Sequence, residues 1–341
     1  MRALLAAVCA LSITLTSAPA ASQHQQMDEA LDISRMLLAP PPGVDPAYGA
    51  FQRGYYLTAL RLAMPRAQQG DATAQTLIGE IYANGLGVPQ DIPRAISWYA
   101  QADANGDIQA SFQLAMIYHT GTGVERNRRR AGTLFKKAAD GGHVAAKYNL
   151  GLLHVEGVYA EPSLTLAAEL IGAAAEAGYA EAQYDFAIML LEGAGIAPDT
   201  ERAVALMREA ANQGLVEAQI EYATLVYLGQ GVERNRQEAA RLYGLAAQSG
   251  NPVAQTRYAM MLAAGEGVEV DMETAAMFRA LARRQGLSDA NLDRLLQSAS
   301  SEELGAGEER ARFWPGTAPT ISAQALDPGE PLPAEIDWTN G

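Results

Sequence analysis

Apolar residues recur along this chain at steps of three and four residues, in short blocks that glycine-containing turns separate. In the first complete block, Ala74, Leu77 and Ile81 lie on one side of a predicted helix. Gly85 follows them, and glycine tolerates the left-handed conformation that ends many helices. Asp91 is a good N-cap for a second helix. Each block therefore predicts two helices, A and B, joined by a glycine loop.

The block repeats with a constant period of 36 residues. The opening glycine of each copy stands at Gly70, Gly106, Gly142, Gly178, Gly214, Gly250 and Gly286. A large apolar residue of helix A, always followed by glycine or alanine, is found at Ile78, Leu114, Leu150, Phe186, Tyr222 and Tyr258. The corresponding large residues of helix B are Trp98, Leu134, Leu170, Leu206, Leu242 and Phe278. One helix pair cannot bury both faces, so neighbouring pairs are expected to stack around a continuous core.

Three features of each copy resemble the Sel1-like repeat, a relative of the tetratricopeptide repeat. They are Ala-x-x-x-large-small in helix A, Gly-x-Gly-Val in the loop, and a late Ala-Ala-x-x-Gly, as in residues 210–214. The resemblance is to an exported bacterial member and implies an all-α fold, a right-handed α/α superhelical solenoid. Proteins of this kind serve mostly as adaptors in signalling, envelope and secretion contexts, so the resemblance implies binding rather than catalysis.

The period and the composition together predict the organisation of the whole chain. The predicted segments are a signal peptide (1–20), an N-terminal helical cap (21–53), a half repeat (54–69), six repeats (70–285), C-terminal capping helices (286–314) and a flexible Pro/Gly/acidic tail (315–341).

The first residues have the pattern of a secretory signal. Arg2 supplies a positive charge, residues 4–15 are apolar, and cleavage is predicted after Ala20. The apolar stretch is too short to be a stable membrane span. Because Cys9 lies inside this segment, the mature chain has no cysteine. We therefore expect a periplasmic or secreted protein without stable membrane insertion.

The net charge and the absence of known catalytic motifs exclude several classes of function. The formal net charge is -14, which argues against nucleic acid as a partner. No zinc-protease, serine-hydrolase or phosphate-loop motif is present, so no catalytic residues, cofactor or metal site are expected. His154 falls in a column of apolar and tyrosine residues and is predicted to be a core residue, whereas His143 is predicted to be solvated. A β-lactamase-like hydrolase is the least favoured alternative.

Helix A offers a candidate partner-binding groove, because the A helices of repeat solenoids usually line the concave side. The positions that the core does not use turn apolar and aromatic in the middle copies, and such side chains suit a protein or peptide partner in the cell envelope. The predicted groove residues are Phe112, Met116, Tyr148, Leu152, Tyr184, Ile188, Leu191 and Tyr227. The alternative is that curvature buries these side chains between neighbouring A helices.

A basic cluster stands out in the second copy of this acidic chain. It comprises Arg126, Arg128, Arg129, Arg130, Lys136 and Lys137. One hypothesis is a patch for an acidic partner or an anionic glycan, which would make the protein a glycan or peptidoglycan binding module. The alternative is a solvated helix surface whose cations pair with acids one turn away.

Overall fold

The computed structural model describes residues 45–157 and 159–316. The signal peptide, the N-terminal cap up to residue 44 and the tail from residue 317 therefore lie outside the described residues. Within them every regular element is helical. The α-helices are α1 Pro46–Gln52, α2 Tyr56–Gln68, α3 Ala72–Asn84, α4 Ile92–Ala104, α5 Ile108–Thr120, α6 Arg128–Asp140, α7 Val144–Glu156, α8 Leu164–Glu176, α9 Ala180–Glu192, α10 Thr200–Asn212, α11 Val216–Leu228, α12 Arg236–Gln248, α13 Pro252–Ala264, α14 Met272–Arg284, α15 Ala290–Leu295 and α16 Ser301–Phe313.

The chain divides into two compact units, residues 1–137 and 138–341, and the division falls inside α6. In the first unit α3 packs against α4. In the second unit each A helix packs against its own B helix and against the B helix before it, from α8 through α14. The last helix, α16, packs on α14. The predicted fold class is confirmed: the protein is an all-α solenoid of stacked helix pairs.

In the six complete copies, each B helix begins at a residue whose side chain accepts a backbone hydrogen bond. The predicted N-cap Asp91 accepts from the Arg94 amide at 2.9 Å. Ser163 and Asp199 do the same for α8 and α10. Each cap satisfies an amide that has no partner inside the helix. Local sequence therefore sets where these helices start.

The core forms where the small residues of helix A meet large residues of helix B. A methyl group added at Gly79 would lie 2.6 Å from the Tyr99 ring, and one at Gly151 would lie 2.6 Å from the Ile171 side chain. The predicted B column is buried at Leu242 and Phe278 but only half-buried at Trp98, Leu134, Leu170 and Leu206. In the first copy the sequence places both Trp98 and Tyr99 on the core-facing side, and the structure buries Tyr99 more completely. At all four half-buried positions it is the next residue that points at helix A. The buried side chains at that next position are Tyr99, Phe135, Ile171, Met207 and Tyr243.

A buried glutamine side chain near the start of helix A accepts a hydrogen bond from a side-chain amide at the end of the same copy. The Gln213 amide donates to Gln183 Oε1 at 2.7 Å. Gln285 donates to Gln255 in the same way, and Asn105 donates to Gln75. Gln219 occupies the equivalent place, but among the described residues its Oε1 has no hydrogen-bond partner. Its counterpart is Ser249, whose short hydroxyl donates instead to the Leu245 carbonyl.

Ser249→Gln is expected to stabilise the protein by about 1 kcal/mol, because a buried acceptor without a partner costs roughly that much or more. The new amide would reach Gln219 as Gln213 reaches Gln183. Urea unfolding of the purified chain measures the change. Ser249→Ala is the control, since it alters helix propensity without supplying a donor. An equal gain in both variants would contradict the proposed hydrogen bond.

Candidate functional site

The eight predicted groove residues are all half-buried, and they are distributed over both units. Phe112 and Met116 lie in the first unit, where the Phe112 ring is 5.9 Å from that of buried Phe135. The other six lie on α7, α9 and α11 of the second unit and pack against one core cluster. We call these six the helix-A face: Tyr148, Leu152, Tyr184, Ile188, Leu191 and Tyr227. Each packs on the core and keeps part of its surface open to solvent.

Tyr148 links α7 to α9 through a polar contact. Its hydroxyl donates to Asp185 Oδ2 at 2.8 Å, and its ring centroid lies 5.3 Å from that of Tyr179. Burial, together with this carboxylate, raises the pKa of the Tyr148 hydroxyl. Burial also raises the pKa of the Asp185 carboxyl; the charge of Glu181 adds to that rise, and the bond from Tyr148 opposes it. Tyr148 therefore remains protonated and holds an acid at this edge of the face.

Tyr184 lies among carboxylates. Burial and the charges of Glu221, Asp185 and Glu217 raise the pKa of its hydroxyl. The two helices that carry these groups, α9 and α11, contain acidic residues and no Lys or Arg. The middle of the helix-A face is therefore apolar at its base and negatively charged around its rim.

Tyr227 is satisfied by its own chain. Its hydroxyl donates to Glu266, and the guanidinium carbons of Arg234 and Arg236 each lie 5.8 Å from its ring centroid. Beside it is a cavity of about 400 Å³, open to solvent. Leu228, which is 50% exposed, lies in the lining. The apolar residues of the lining are Tyr227, Leu228, Tyr243, Met260, Met261, Ala264 and Leu295. This end of the helix-A face offers space for an apolar side chain.

The basic cluster lies in the first unit, and Lys137, Arg130 and Arg126 are among its cations that contact other residues. Lys137 pairs with Asp103 at 2.7 Å, and the guanidinium of Arg130 lies 4.2 Å from the Tyr118 ring centroid. Arg126 Nε donates to the His119 carbonyl at 2.8 Å. The partner of Lys137 is on the preceding B helix, not one turn away on α6. These contacts favour a structural role for part of the cluster, and an anionic-partner patch stays a prediction.

The predictions for His154 and His143 have different outcomes. His154 is 7% exposed, with its ring against Tyr159 at a centroid distance of 5.8 Å, so the core prediction is confirmed. The prediction that His143 is solvated is wrong. His143 is half-buried and caps α7, where its Nδ1 accepts from the Ala146 amide at 3.2 Å. The helix start requires an acceptor, and burial lowers the pKa of this imidazole, which favours the neutral form that can accept.

Sequence reasoning missed the carboxylates around the helix-A face. A signal was present: the seventh residue after each repeat glycine is polar from the second copy onward, at Gln113, Asn149, Asp185, Glu221 and Arg257. Tyr148 and Asp185 are 37 residues apart, one period plus one residue. That contact joins two different columns in two different copies, so inspection of each column separately does not reveal it.

Among the described residues, no helix has both the length and the apolar character needed to cross a bilayer. A comparison with curated protein sequences gave no significant match.

Solved structures share the architecture. The chain is similar to a Sel1 repeat protein from Oxalobacter formigenes, with 29% identity and a TM-score of 0.62 over 69% of this chain and 94% of that one. It is also similar to c5321, a protective antigen of uropathogenic Escherichia coli with an SLR fold, with 23% identity and a TM-score of 0.50. That match covers 74% of this chain and 62% of the antigen, and at this identity the likeness concerns the fold alone.

The repeat itself gives the family. The sequence profile of the Sel1 repeat matches six consecutive segments, 72–107, 108–143, 144–179, 180–215, 216–251 and 252–287. These segments are contiguous and cover more than half of the chain. The protein therefore belongs to the Sel1 repeat family.

Proposed function

We propose that this protein is an exported interaction scaffold, an adaptor or regulator of the cell envelope, that binds a protein partner on the helix-A face of its second unit. Sel1 repeat proteins generally mediate protein–protein interactions, and no catalytic family is indicated for this chain. The signal-peptide pattern in residues 1–20 supports export.

One observation carries the choice of surface. Six apolar and tyrosine side chains from three successive A helices rest on one core cluster and remain partly exposed. The cavity of about 400 Å³ lies at the Tyr227 end of the same face. Rigid aromatic side chains beside a pocket are typical of the residues that dominate binding energy at protein interfaces. A partner segment lying across α7, α9 and α11 would cover the face and place an apolar side chain in the cavity.

Replacing Tyr148 and Tyr184 together by alanine is expected to weaken partner binding by about tenfold or more, because truncating aromatic anchors removes most of the contact energy. The control replaces Leu170 and Leu206, which are half-buried on B helices of the same unit, by alanine. Both double variants lose some packing, so the midpoint temperature of thermal unfolding should fall in both. Equal loss of binding in the two variants would show that the tyrosines act only through stability.

The partner is found by photo-crosslinking in cells that express the protein. The probe replaces Tyr184, and a second probe replaces Leu245, an exposed residue of helix α12. A protein adduct at position 184 that is absent at position 245 is the expected result, and the adduct protein is then used in the binding assay above. A glycan adduct at position 184, or the same adducts at both positions, would contradict the proposed function.

A further inference from the structure

The charge around the helix-A face indicates what kind of partner it accepts. We propose that the segment bound between α7 and α11 is basic and amphipathic, with Lys or Arg side chains on the acidic rim and apolar side chains on the base. This inference rests on the proposed function and specifies the chemistry of the partner.

The base of the face requires an apolar partner. Leu152, Ile188 and Leu191 are half-buried, and each packs on the core cluster while part of its surface stays open. Covering such surface releases water and favours association in proportion to the area covered. A small cation or a purely charged peptide would leave this area exposed.

The rim requires positive charge. Glu181 and Asp185 lie on α9, and Glu217 and Glu221 lie on α11. Asp185 accepts a hydrogen bond from Tyr148 at 2.8 Å, which places its carboxylate on the helix-A face. The charges of Asp185, Glu217 and Glu221 act on Tyr184, and the charge of Glu181 acts on Asp185. Some acids elsewhere in this chain are paired, as Glu176 is with Arg202 and Asp103 is with Lys137. Within residues 45–157 and 159–316, none of the four rim carboxylates forms an ion pair.

The tyrosine at the centre lacks the cation that other rings of this chain have. Arg94 lies over Tyr82, Arg202 lies over Phe186, and Tyr227 has two arginines. No cation of the described part of the chain lies over the Tyr184 ring, although three carboxylates act on it. An arginine from a partner would gain both the ring face and the carboxylates around it.

A second copy of this chain fits the face less well. The formal net charge is -14, so two copies repel each other. Three cations of the basic cluster are already held by Asp103, Tyr118 and the His119 carbonyl. Charge complementarity therefore favours a different, basic protein segment.

The test uses the full chain and two fluorescein-labelled helical peptides with the same leucine pattern, one with arginine at every polar position and one with glutamate. Fluorescence anisotropy gives the affinities. The face variant carries Glu181→Gln, Asp185→Asn, Glu217→Gln and Glu221→Gln. The control variant loses the same charge at four exposed acids outside the face, by Glu169→Gln, Glu201→Gln, Glu233→Gln and Glu269→Gln.

We expect the arginine peptide to bind saturably and to protect α9 and α11 from hydrogen exchange. The face variant should lose about tenfold in affinity and the control variant less than about twofold, because close charges contribute far more than distant, screened ones. Equal losses in both variants, or no saturable binding of the arginine peptide, would overturn the inference.

The Tyr148→Ala, Tyr184→Ala double variant separates the two proposals. If the glutamate peptide binds as well as the arginine peptide and loses its affinity in this double variant, the face binds protein segments but the charge inference is wrong. If the affinity of neither peptide changes in this double variant, both the charge inference and the proposed face are wrong.

Discussion

Replacing Gly195 by alanine is expected to destabilise the second unit by about 3 kcal/mol or more, which combines the cost of a left-handed alanine with that of a forced backbone shift. Gly195 lies in the loop after α9 with φ +75°. A methyl group there would be 2.2 Å from the Leu164 carbonyl oxygen and 2.8 Å from the Thr165 amide nitrogen. Both atoms belong to the backbone at the start of α8, which cannot rotate away as a side chain would. The loop of one copy would therefore be pushed off the helix of the copy before it.

Gly178→Ala is the matched control for this effect. Gly178 also has a positive φ, +85°, but a methyl group there would meet nothing within 4 Å. Its cost should be only that of the left-handed conformation, about 1–2 kcal/mol. Urea unfolding followed by circular dichroism gives both values. Equal losses would mean that the φ angle alone explains these glycines and that the close approach to α8 adds nothing.

Gly307→Ala is expected to undock the last helix, α16, from α14 and to destabilise that end by about 2–3 kcal/mol, the usual range for overpacking. Gly307 is buried inside a helix, so its φ is ordinary and only space matters. A methyl group there would lie 2.4 Å from the Glu273 carbonyl oxygen and 2.8 Å from the Met277 amide nitrogen. The exposed ion pair of Arg310 with Glu273 would not compensate, because such pairs contribute little.

Gly305→Ala, two residues earlier on the same helix, is the control. A methyl group at Gly305 meets nothing within 4 Å, so the change should stabilise α16 by about 0.5–1 kcal/mol through helix propensity. Hydrogen exchange of α16 and α14 reports docking. Faster exchange in both helices after Gly307→Ala, with slower or unchanged exchange after Gly305→Ala, is the expected pair of results. Unchanged exchange in the Gly307 variant would contradict a tight crossing at this residue.

The helix pairs and their order follow from the sequence because their signals are local and repeated. Asp91 caps α4 by bonding an amide three residues away, and Gly85 ends α3 in the left-handed conformation. Such interactions involve neighbouring residues and need no knowledge of the rest of the fold. Six copies of the same grammar also removed ambiguity about the family.

Contacts between helices were harder to anticipate, even where the participating columns were recognised. The bond from Tyr148 to Asp185 depends on how α7 rotates against α9. The rotation of each A helix about its axis decides whether the groove residues that it carries are core or open surface, and all eight lie between these limits. Neither the hydrophobic pattern nor the composition specifies how far each helix is rotated about its axis.

The sequence by itself therefore determined the helical repeat, its period, its caps and the family, since each depends on hydrogen bonds and conformations within a few residues. Only the tertiary structure decided which of Trp98 and Tyr99 fills the core, that His143 caps a helix, and that carboxylates from two helices act on Tyr184. These features depend on the angle and separation of packed helices, which the combined shape of many distant side chains fixes.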